Sequence, residues 1–82
     1  MIRKLYASGL IISEYGLVIK NHKHDDVVYI LVDPETDTIV KVADNLEPIY
    51  GKLMDVKDKF AGRRIRVEKL PLSALRAMIC YK

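Results

Sequence analysis

The chain has 82 residues, half of them apolar and 30% charged, and a formal net charge of +3. That length suits a single domain, residues 1–82, and so much apolar material excludes a disordered polar chain. The longest uninterrupted apolar run, residues 27–32, falls far short of the ~20 residues of a membrane-spanning helix, so a soluble cytoplasmic protein with no membrane partner is expected.

The opening MIRKLYASGLII places basic residues before apolar ones, as a secretory signal does, but Ser13, Glu14 and Tyr15 break the apolar part too early for that reading. In chain order, residues 4–13 and 16–22 are rich in apolar β-formers and read as two strands joined by a tight hairpin beside Gly16. Residues 27–33, VVYILVD, are continuously apolar until Asp33 and predict a central strand covered on both faces. Pro34 then presets a turn, and residues 38–43 pair back as a fourth strand. Residues 50–56, YGKLMDV, read as strand five. Strand six, residues 63–70, alternates with Ile65 and Val67 on one side and Arg64, Arg66 and Glu68 on the other. The end is open between two readings: Ser73 can cap a short helix with Leu75, Met78 and Ile79 as its apolar stripe, or Leu75, Ala77, Ile79 and Tyr81 alternate as a last strand. Six short strands in successive hairpins predict a mainly β fold. The form expected is a small antiparallel β-barrel, or a strongly curled sheet of about six strands, with a short C-terminal helix.

With Cys80 as the lone cysteine no internal disulfide can form, which suits a reducing compartment. The chain has no glutamine and only two asparagines beside 25 charged side chains, the bias of a thermophile's protein. Charge is lopsided: residues 1–50 hold five basic side chains against eight acidic ones, and residues 51–82 hold nine against three. A basic half points to an acidic partner, nucleic acid first.

Catalysis is not expected. Ser13-Glu14 has no local histidine, Cys80 lies in an apolar segment, and Gly51 and Gly62 belong to no phosphate-cradling motif. Residues 21–26, NHKHDD, bring together His22, His24, Asp25 and Asp26, ligand types that suit zinc. Lys23 sets a like charge among them and the second ligand pair of a zinc motif is missing, so a solvated loop is the preferred reading, with no metal and no cofactor.

The candidate site is the basic segment: Lys52, Lys57, Lys59, Arg63, Arg64, Arg66 and Lys69 fall within 18 residues, on two strands expected to be hairpin neighbours. Phosphate binding needs charge spread along a surface, and arginine adds a bidentate grip. Phe60, the only phenylalanine, sits at the expected hairpin tip, placed to stack on a base. The same residues also suit an ordinary wet face, with Phe60 folded back to close one barrel end.

The stretches RKLYASGLIISEYGLVIKN, YGKLMDV and RIRVEK together resemble the small β-barrel protein of archaeal H/ACA guide-RNA pseudouridylation particles, and the GKLMDV segment is similar to a hairpin of PRC-barrel domains. The resemblance implies a non-catalytic accessory subunit that docks on a pseudouridine synthase and influences substrate RNA turnover. The strand pair around VVYILVDPETDTIV and the helical last segment depart from that family, and no functional residue is carried over. The expected function is therefore a non-catalytic nucleic-acid-binding or ribonucleoprotein subunit, its partner RNA, DNA or a larger protein of such a complex. The alternative is a protein-binding accessory subunit or homo-oligomer that docks through the apolar residues 72–81 and uncovered strand edges.

Overall fold

In the computed structural model, which describes residues 3–57 and 64–81, the first long apolar segment is a helix. Strand β1 (Leu5–Ala7) gives way at Ser8 to helix α1 (Gly9–Asn21), and the Ser8 hydroxyl caps the helix by accepting from the Ile11 amide. Ile11 and Tyr15 are buried and Ile12, Val18 and Ile19 half-buried, a 3.6-residue stripe that runs through Gly16. Strands β2 (Val27–Asp33) and β3 (Thr38–Ala43) follow with the boundaries read from the sequence. Their turn is tied by the Asp33 carboxylate, which accepts from the Glu35 amide and the Thr36 hydroxyl, and Asp37 takes the left-handed φ of 52° that aspartate tolerates.

Helix α2 (Leu46–Val56) comes next, capped by the Asn45 side chain on the Glu47 amide. Pro48 sits in its first turn, where amides have no acceptor within the helix, so the missing N–H costs nothing there. Edge strand β4 (Arg66–Pro71), helix α3 (Leu72–Met78) and strand β5 (Ile79–Tyr81) complete the described chain. The open question at the end resolves as a helix followed by a strand.

The five strands form one sheet in the order β4-β2-β3-β1-β5. β1 runs parallel to β3 and β5, while β2 is antiparallel to β3 and β4. Leu31 pairs with Lys41 and Val32 with Ile39, so Val40 is the extra residue of a bulge. Along β2, Val28, Ile30 and Val32 join the core under α1 and α3, and Tyr29 and Leu31 join the core under α2. β2 is thus bonded at both edges and covered on both faces, which explains its unbroken apolar run.

The mainly β expectation is overturned: the molecule is a mixed α/β fold with three helices and an open five-stranded sheet. Residues 9–21 and 46–56 are spent as helices rather than hairpins, and the edges β4 and β5 lie at opposite ends of the sheet, so nothing closes a barrel. The barrel implied by the family resemblance falls with it. No helix among the described residues is long and apolar enough to cross a membrane.

Candidate functional site

The basic residues do not sit on two hairpin strands. Lys52 lies half-buried along α2, Lys57 is its exposed C-cap, Arg64 is exposed just before β4, and Arg66 and Lys69 are exposed on β4 itself. Lys59, Phe60 and Arg63 lie outside the described residues. The expected strand of residues 50–56 is the C-terminal half of α2, which packs on β3 and β2, and β4 lies at the outer edge of β2. What joins α2 and β4 is apolar: Leu53 and Val56 of α2 and Ile65 and Val67 at β4 belong to one cluster. That grouping keeps the alternation read from the sequence, with Ile65 and Val67 inward and the arginines outward.

Register puts Arg66 opposite Val32 and Lys69 opposite Tyr29, residues on opposite faces of β2, so the cations project from both sides of the edge. Glu68, opposite Ile30 and so on the same face as Arg66, is engaged by another residue: Arg3 Nη1 donates to its two carboxylate oxygens at 2.9 and 3.0 Å, with Arg3 Nε 3.8 Å from Asp37. Among the described residues none of Lys52, Lys57, Arg64, Arg66 and Lys69 has an acidic partner.

A second constellation comes from the NHKHDD stretch. His22, the C-cap of α1, places Nδ1 3.3 Å from Asp26 Oδ2 and Nε2 3.0 Å from Asp44 Oδ2. Asp26 Oδ2 also accepts from the Lys23 amide at 2.8 Å, and Asp44 Oδ1 accepts from Asn45 Nδ2 at 2.9 Å. The hydrogen bond to Asp44 is the main reason the His22 pKa is raised above its ordinary value, partial burial opposes it, and Asp26 adds to the rise. Asp44 is held below the usual carboxylate range first by His22 and then by Asn45. Asp26 is lowered first by the Lys23 amide and then by the His22 ring.

His22 and Asp44 line one end of a groove of about 270 Å³ between α1 and the β3–α2 junction. Glu14 and Lys41, paired at 3.1 Å, stand in the same groove, and Leu17, Val18 and Pro48 supply apolar wall. His24 and Asp25 remain exposed outside it, and among the described residues no group of three or more His, Cys, Asp or Glu is arranged to hold a metal ion. Asp44 is the member that sequence reasoning missed. Only tertiary folding brings it to a ring 22 positions away, though the Asp44-Asn45 pair before an apolar stretch is a helix-start signal.

Of the C-terminal segment offered for docking, Leu72 and Leu75 are buried in the molecule's own core and Tyr81 stays 72% exposed. Leu10 and Leu17 on α1 and Tyr50 and Met54 on α2 are strongly exposed as well. No protein-family model matches this chain, and neither does any curated protein or solved structure.

Proposed function

We propose that the chain binds nucleic acid, without catalysing a reaction, through a basic rim formed by the C-terminal half of α2 and the edge strand β4. The observation behind this reading is that Lys52, Lys57, Arg64, Arg66 and Lys69 rise from two elements sharing one apolar cluster and have no acidic partner among the described residues. Cations without an acidic partner among the described residues suit a phosphate backbone, which rewards charge spread over a surface and releases its counterions on contact. Arg64 and Arg66 can each grip a phosphate with two donors, while the lysines act as point charges. The outer edge of β4 has no strand partner among the described residues, so its backbone amides offer further donors to phosphate. Lys59, Phe60 and Arg63 lie outside the described residues, and the reading rests on the other five cations.

Binding of single- and double-stranded RNA and DNA, measured by anisotropy across a salt series, should weaken steeply with salt. Arg66→Ala, Lys69→Ala and Lys57→Ala should each flatten the log–log slope by about one unit, whereas Lys20→Ala on α1 should leave it unchanged. Absence of binding at ~50 mM salt, where the electrostatic attraction is strongest, overturns the reading.

A second reading, docking to a protein or to another copy of the chain, draws on exposed Tyr81 at edge strand β5 together with Leu10 and Leu17. It requires a stable oligomer or protein complex by light scattering, and Tyr81→Ser should weaken that assembly.

A further inference from the structure

We propose that His22 is a proton-operated clasp: its doubly protonated ring fastens the end of α1 to the loop before β2 and to the start of α2, and loss of the proton releases α2's first turn and loosens the groove. Geometry carries this. Each ring nitrogen faces a carboxylate oxygen, Nδ1 that of Asp26 at 3.3 Å and Nε2 that of Asp44 at 3.0 Å. A neutral imidazole has one N–H, so either tautomer points a ring lone pair at an anionic oxygen, and only the imidazolium donates to both.

The surroundings favour the same form. As the C-cap of α1, His22 lies at the negative end of the helix dipole. The charged groups around it are Asp26 and the adjacent Lys23 in the loop, Asp44 just after β3, and the Glu14–Lys41 pair from α1 and β3 farther along the groove. The Asp26 and Asp44 carboxylates are held low, and an imidazole is the side chain whose charge changes between about pH 5 and 8.

Release has a defined route. Asp44 is bonded to Asn45, and the Asn45 side chain caps α2 on the Glu47 amide, so a freed Asp44 unsettles the cap and moves the groove wall that includes Pro48. The ring has both nitrogens engaged and so serves as a fastener; a general base would keep one free.

The test uses the full chain carrying His24→Asn, which leaves His22 as the only histidine. Its ring shifts are followed by NMR with amide hydrogen exchange at Glu47 and Ile49, corrected for the intrinsic base-catalysed rate. The ring should titrate above the ordinary imidazole value, and exchange at the start of α2 should rise several-fold as it loses its proton. Asp44→Asn should move the titration downward. His22→Gln should make the exchange pH-independent. A ring that titrates at or below its ordinary value, or first-turn amides with no step that depends on His22, overturns the clasp.

Discussion

The two faces of the sheet are built to different standards. Among the described residues, eleven buried ones from the strands and both helices form one cluster under α1 and α3, with Leu5, Val28, Ile30 and Leu75 completely enclosed. Under α2 the described buried set is four, Leu31, Ala43, Ile49 and Val56, ringed by half-buried Tyr29, Val40, Leu53, Ile65 and Val67. One helix cannot roof five strands, and Tyr6, on the face of β1 opposite the Leu5 and Ala7 side chains, stays 38% exposed. The difference teaches where stability is concentrated. Among the described residues the double-helix face supplies most of the apolar burial, and the face under α2 is the more thinly covered.

Core truncation is the strongest way to break that comparison. Ile30→Ala, on the thick face, should cost about 3–4 kcal/mol, because close-packed neighbours on every side cannot collapse into the cavity. Ile49→Ala, equally enclosed but ringed by half-buried side chains free to relax, should cost nearer ~2 kcal/mol. Urea unfolding measures both, and an Ile49 variant as costly as the Ile30 variant removes the distinction between the faces.

Caps give a smaller and opposite ranking. Asn45 accepts from the Glu47 amide at 3.1 Å, whereas the Ser8 hydroxyl accepts from Ile11 at a long 3.4 Å. Asn45→Ala should therefore cost about 1 kcal/mol and Ser8→Ala about half that. Helix α1 is anchored by its own buried stripe, and α2 depends more on its first turn. Equal costs in thermal melts would show that the two helices lean on their caps alike.

The caps also explain what was legible in the sequence. Residues 27–33 and 38–43 were readable because both periods and turn chemistry agreed there: a doubly covered run, Asp33-Pro34, then alternation. Residues 9–21 look like strands because Ile and Val favour strands and Gly16 resembles a hairpin turn, yet Ser8 and the spacing of Ile11, Tyr15 and Val18 make a helix. Pro48 and Gly51 hid α2 in the same way, since proline is harmless in a first turn and the Ile49, Leu53, Val56 spacing outweighs one glycine. Of the candidate site, the clustering of cations was visible in the chain and their placement on a helix and an edge strand was not. The union of His22 with Asp44 depends wholly on how α1 and α2 are brought together, which no local pattern encodes.

That union links the faces, because His22 ends the helix on one side of the sheet and Asp44 precedes the helix on the other. Its pH dependence is the smallest effect and the one that most sharpens the comparison. A raised His22 pKa means that the ring's contribution is complete below the unfolded value of about 6.5 and is lost as pH climbs through the folded one. The lowered Asp26 and Asp44 values act in the opposite sense, their contribution present above about 3.9 and lost as pH falls through the folded values. The stability difference between the natural chain and His22→Gln should therefore be greatest between about pH 4 and 6.5 and shrink on either side. With side chains 24%, 46% and 47% exposed, water and salt screen the pairs, so the amplitude should be small and fall further at ~0.5 M salt. The cost of Ile30→Ala, buried among apolar groups, should show no such profile. A flat difference for His22→Gln across this range would mean that the ring contributes only its packing, and that the two faces are joined by the sheet alone.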